Sequence, residues 1–160
     1  MNIGLVLAGG MAKGAYQIGA LQALSEFVPL EEIKYISCAS IGVLNGYAYA
    51  TGNLAEAETM WRNFCKDDKK LIISQVLKSS VLQENIVNLY ESKSELSSDF
   101  YCVLLDLSHR SVVYKNLSTV ESSQIPLYLK ASVAMPVFNR AVQVEDVSYF
   151  DGHCICKVSL

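Results

Sequence analysis

The order of apolar and glycine-rich stretches predicts an α/β fold, with helices flanking a mostly parallel central sheet. Three observations carry that reading. Residues 3–8 form a short apolar run without alternation, as in a strand buried on both faces of a parallel sheet. A glycine-rich loop, 9–14, separates that run from a segment of helical periodicity. A second β-favouring run, 34–38, follows. Strand, loop, helix and strand in that order make a right-handed βαβ unit. The composition agrees. A chain of 160 residues, 51% hydrophobic and 18% charged, suffices for a single domain over 1–160 with a sizeable core, and argues against disorder.

The first helix is expected over 15–27, where Ile18, Leu21, Ala23, Leu24 and Phe27 recur at helical spacing and Pro29 ends the pattern. After the second strand, 41–50 reads as a helix stopped by Thr51, Gly52 and Asn53. Residues 54–64, which carry the single tryptophan, Trp61, read as another. A charged break at 66–70 precedes two further helical stretches, 71–77 and 81–90, and a polar linker, 91–98. Residues 100–107 and 111–115 read as strands joined by a turn at Ser108, His109 and Arg110. A short helix over 124–133 closes at Pro136. Residues 142–144 and 147–150 alternate about Glu145 and Asp146 like a small hairpin, which Asp151 and Gly152 end. The chain shows no internal repeat and no low-complexity tract.

Charge and cysteine usage narrow the function classes. A net charge of -3 without a basic run argues against nucleic acid and makes any membrane contact apolar rather than electrostatic. No run reaches the ~18 apolar residues that a membrane span needs. The first ten residues are apolar but lack a positive flank, so they read as a strand and not as a signal peptide. The five cysteines, Cys38, Cys65, Cys102, Cys154 and Cys156, are odd in number and irregular in spacing, which fits a reduced, cytoplasmic protein. Cys154 and Cys156 beside His153 hint at a metal, but no second cysteine pair completes a set, and none is expected.

The chemistry centres on 35–44. Apolar residues run into Ser40, bracketed by Cys38 and Ala39 before it and by Ile41 and Gly42 after it. A sharp strand-to-helix turn of this kind, usually G-x-S-x-G, exposes a serine hydroxyl at its tip and aims the helix's N–H groups beside it. A serine at a strand end also serves as an ordinary helix N-cap. A serine nucleophile needs a base and donors for its oxyanion. The loop of Gly9, Gly10, Met11, Ala12, Lys13 and Gly14 could supply donors. A P-loop would need Lys and Ser/Thr after Gly14, where Ala15 and Tyr16 stand, and a dinucleotide fingerprint would need glycine in place of Met11. A plain tight turn remains open. For the base, Ser40, Asp106 and His153 would give the serine–acid–histidine order of another hydrolase fold, though that fold places more strands before its serine. Asp151 is the other candidate, and an ordinary Asp-Gly turn is its bland reading.

Together these pieces resemble the patatin-like phospholipases almost from end to end. Residues 5–21 look like that family's first strand, G-G-G-x-R-G oxyanion loop and following helix. Ser40 falls at the nucleophile of its G-x-S-x-G. Residues 130–138, with Lys130, Ala131, Ser132, Ala134, Pro136 and Phe138, look like its R-A-S-x-A-x-P segment, and Asp151 with Gly152 falls on its D-G-G or D-G-A. The resemblance implies a three-layer α/β/α fold, a dyad of Ser40 and Asp151 without histidine, an oxyanion loop over 9–14, and hydrolysis of lipid acyl esters. It implies no cofactor, a lipid or fatty-acyl ester as partner, and transient contact with a membrane surface. A catalytically weak lipid-binding or scaffold protein of the same fold is the alternative.

The departures are specific. Met11 replaces a glycine, Lys13 an arginine, Cys38 the elbow glycine, and His153 the small residue after Asp-Gly. Cys38 is expected to add bulk at a close contact, which glycine would relieve. Both histidines are expected to be spectators. The chain ends at Leu160, where the family continues, often through an asparagine–proline segment; this implies a domain shortened at its C-terminus and bears on activity more than on fold.

Overall fold

A computed structural model describes residues 2–65, 80–91, 95–136 and 138–154. The expected helix over 71–77, the charged break at 66–70 and Cys156 lie outside the described residues. The strands are β1 (Ile3–Leu7), β2 (Ile33–Ala39), β3 (Asp99–Asp106), β4 (Ser111–Asn116), β5 (Val142–Val144) and β6 (Val147–Asp151). The helices are α1 (Gly14–Phe27), α2 (Ile41–Ala50), α3 (Leu54–Cys65), α4 (Ser80–Glu91) and α5 (Ile125–Ser132). The expected short helix starts as a 3-10 turn, Ser122–Gln124, before Pro126 opens α5. The last strand takes in Asp151 instead of stopping before it.

The six strands among the described residues form one sheet. β1, β2 and β3 are parallel neighbours, as expected, but β1 is buried on one face only: Gly4 and Val6 are exposed, so the two-sided burial expected of residues 3–8 does not hold. Leu7, Cys38 and Cys102 stand in register across them, as do Leu5, Ile36 and Phe100, and so share one face. That face is the core. α2, buried at all ten positions, packs on β2 and is ringed by α1, α3, α4 and α5. A helix apolar on every side belongs at such a centre. The other face leaves Val6, Tyr35 and Tyr114 about half exposed.

β3 is the ruler of the sheet. One of its edges carries β4, antiparallel, from Tyr101 to Asp106. The opposite edge is shared. β2 runs along it in parallel until Ala39 faces Val103, and β6 runs in from the other direction until Asp151 faces Leu104. The two strands therefore meet end to end. Whatever follows Ala39 and whatever ends β6 must come together, because their partners on β3 are consecutive residues.

Candidate active site

Ser40 is the residue that follows Ala39. Its φ of 54° and ψ of −136° lie in a region L-residues rarely adopt, and strain of this kind persists only where the surroundings hold it. The turn is tight because α2 must start against the end of β1. A Cβ on Gly42 would lie 2.7 Å from Leu7 O and 2.9 Å from Ala8 O. Ser40 occupies the N-cap position of α2, yet its side chain makes no capping hydrogen bond. Its carbonyl accepts from the Val43 N–H at 2.9 Å. The hydroxyl is thus left for something other than the helix.

Asp151 lies opposite. It is 1% exposed, and Ser40 is 6% exposed. The Asp151 N–H donates to Ala134 O at 2.8 Å, and Oδ1 accepts from the His153 N–H at 2.9 Å. Burial pushes the carboxyl above its ordinary value, opposed by hydrogen bonding from the Ser40 hydroxyl and the His153 amide and by the charge of His153. A carboxylate beside a serine hydroxyl, disfavoured as an anion by its surroundings, is equipped to take a proton from that hydroxyl.

The glycine-rich loop closes the third side. A Cβ on Gly9 would lie 2.7 Å from Ser40 Cβ and 3.2 Å from the His153 ring, so only glycine fits between them. Met11–Lys13 form a 3-10 turn that leads into α1, and the Lys13 N–H donates to Gly10 O at 3.1 Å. The amides of Met11 and Ala12 come before that first bonded donor, at the mouth of the helix. Met11 takes φ 52°, the left-handed region. The methionine keeps the backbone shape that suits a glycine there, at a cost of roughly 1–2 kcal/mol. Lys13 is exposed.

One expectation changes, and two neighbouring readings gain detail. Cys38 does not force strand and helix apart. Its Sγ fills the space that Gly46, one turn into α2, leaves by having no side chain. The thiol is 1% exposed, and burial first, then Cys102 beside it, holds it well above the usual thiol range, so it stays protonated. Asp106 makes no partner for His153: its Oδ2 lies 2.8 Å from His109 Nδ1, and its Oδ1 accepts from the Ser108 and His109 amides at 2.8 and 3.1 Å. It serves the β3–β4 turn, which leaves the serine–acid–histidine arrangement without its acid. His153 has a structural place beside the site, which leaves untouched the expectation that neither histidine is catalytic. Its ring packs on Gly9 and its amide holds Asp151. Nothing in the local sequence pattern signalled this, because the contact joins the two ends of the chain. Among the described residues no three His, Cys, Asp or Glu side chains gather to hold a metal, and the Cys154 side chain lies outside them.

Known proteins bear on this geometry. The family model described as patatin-like phospholipase matches residues 5–155. No curated protein matches the chain. Among solved structures, VipD from Legionella pneumophila is similar in fold, with a TM-score of 0.65 at 14% identity, over 97% of this chain. The chain spans 46% of that protein's length.

Proposed function

The chain belongs to the patatin-like phospholipase family, and from that premise we propose that it hydrolyses carboxylic esters of lipids through a dyad of Ser40 and Asp151. The observation that carries the proposal is the meeting of a strained, uncapped serine with a buried carboxylate where β2 and β6 end against consecutive residues of β3.

In the proposed reaction Ser40 Oγ attacks the ester carbonyl while Asp151 takes the hydroxyl proton. The carbonyl oxygen becomes an oxyanion beside the Met11 and Ala12 amides and the mouth of α1. The intermediate collapses to an acyl-serine, and Asp151 returns the proton to the departing alcohol. Water then attacks the acyl group, with Asp151 as base, and releases the fatty acid and free Ser40. The burial of Asp151 favours both halves, since a carboxyl of raised pKa takes and gives a proton more readily near neutral pH. Action at a cytoplasmic membrane surface is part of the proposal. It rests on the lipid nature of the substrate and the unpaired number of cysteines.

The second reading, a lipid-binding protein with weak catalysis, draws support from enclosure: a serine 6% exposed gives a bulky acyl group little access. One experiment separates the two. Purified protein is incubated with p-nitrophenyl butyrate and, separately, with a fluorophosphonate probe. Turnover and labelling that both vanish in Ser40→Ala support the esterase; lipid binding with neither supports the second reading.

A further inference from the structure

One polar cluster, buried at its centre on Asn45 and reaching the surface at Gln17, is left unused by the dyad. α2 begins at the elbow and is apolar along its length, except for Asn45, which is fully buried. A buried amide has given up its water and must find hydrogen-bond partners within the protein. Asn45 meets that demand by reaching out of its own helix. Its Nδ2 donates to Gly14 O at 2.9 Å and to Gln17 Oε1 at 2.9 Å, and its Oδ1 accepts from Trp61 Nε1 at 2.9 Å. Gln17 passes the connection on: its Nε2 donates to Ala8 O at 2.7 Å.

The end points of this chain of bonds matter. Ala8 and Gly14 are the residues on either side of the 9–13 loop. Asn45, a turn and a half below the nucleophile, therefore holds one end of the loop directly and the other through Gln17 of α1. The Trp61 ring also lies against the Cα of Gly14, in space that any side chain there would take. The loop needs such a grip. It contains Met11 at φ 52°, and a strained conformation of that kind survives only where its surroundings over-determine it.

We propose that Asn45, Gln17 and Trp61 form a brace that sets the oxyanion loop in register with Ser40, and that Asn45 and Gln17 are positioning residues for the ester hydrolysis. The proposal rests on the catalytic reading given above. The brace touches no reacting atom. It fixes the distance between two parts of the site that sit on separate helices, and a misplacement of about 1 Å in such a site costs on the order of 10²-fold in rate.

The test is Gln17→Met, which keeps the volume, leaves Asn45 bonded to Gly14 and Trp61, and cuts the tie to Ala8. The readouts are hydrogen–deuterium exchange of the 9–13 amides, and kcat and KM for p-nitrophenyl butyrate. The expected result is exchange faster by about tenfold in that loop alone, with kcat lower by about tenfold and KM within twofold, since an interaction made only in the transition state acts on kcat. Should Gln17→Met fail to fold, Trp61→Phe is read the same way, with a smaller effect in the same direction. Unchanged exchange in the loop overturns the brace. Faster exchange with wild-type kcat overturns its role in positioning. If the wild-type protein shows no Ser40-dependent turnover, the catalytic reading fails by itself, and the brace stands or falls on the exchange data.

Discussion

Replacing Asp151 by asparagine separates the requirements of catalysis from those of stability, and the two are expected to move in opposite directions. Asparagine has the same shape, and its Oδ1 can still accept from the His153 amide that sits 2.9 Å away. What is lost is the charge and with it the base. Removing a general base costs at least ~10²-fold in rate, or about 2.7 kcal/mol of transition-state stabilisation. For stability the sign follows from the raised carboxyl. In the unfolded chain Asp151 titrates near 3.8, and in the folded protein burial moves it higher. Between those two values the folded state holds more protons, so this group's contribution is most favourable at acid pH and is lost as pH rises through the folded value. At neutral pH the wild type carries the cost of a buried anion that Asp151→Asn does not. The variant should therefore be nearly inactive at pH 7 and yet more stable, with the difference fading as pH falls toward the unfolded value. Urea denaturation from pH 4 to 8, alongside p-nitrophenyl butyrate hydrolysis, measures both. Asp146→Asn, at the exposed tip of the β5–β6 turn, is the control and should stay within a few-fold of wild type in rate. A variant that hydrolyses normally, or one that is less stable than wild type at every pH, would refute the reasoning.

Two further outcomes follow from contacts at the same site, and a third from the β3–β4 turn. Gly42→Ala should lose about 1–3 kcal/mol in urea denaturation, because its Cβ would meet two backbone carbonyls of the β1 end that cannot rotate away. Cys38→Gly should also be destabilising, by about 2 kcal/mol, since it empties the space beside Gly46 and adds the backbone entropy of a glycine; a more stable variant would mean the thiol is under compression after all. His109→Ala should leave hydrolysis within a few-fold of wild type in a direct assay, because His109 is exposed and its partner Asp106 serves a turn.

Most of the framework was legible in the sequence because it rests on local signals. The unalternating run at 3–8 gave a strand that ends at Leu7, and the apolar run into Ser40 gave β2 and α2 nearly to the residue. The turn at Glu145 and Asp146 stood out by alternation on either side, and Glu145 there takes φ 53°. Packing between distant segments left no such trace. The relation of Cys38 to Gly46 needs the crossing of β2 and α2, which periodicity does not supply. Asn45 carried one weak signal, a lone amide in an apolar helix, but its partners lie 31 and 28 residues before it and 16 after it. Likewise His153 follows an Asp-Gly that any hairpin could contain, and only the folded sheet brings it to Gly9.

The pairing of Ser40 with Asp151 is itself a consequence of register. Side chains alternate along a strand, so a slip of one residue in the β3–β6 pairing would turn Asp151 to the opposite face of the sheet, away from Ser40. The pairing is short, three residues from Leu104 to Asp106, and short antiparallel pairings are weakly specified by themselves. Two contacts fix it from outside. The Asp151 N–H is held by Ala134 O just after α5, and Gly152 sits so close to β3 that a Cβ would lie 2.8 Å from both Leu104 N and Val103 Cγ1. The glycine after the aspartate therefore does more than permit a turn. It lets β6 end flush against the two residues of β3 where β2 also ends, and that flush fit is what makes neighbouring chemical groups of Ser40 and Asp151, 111 residues apart in sequence.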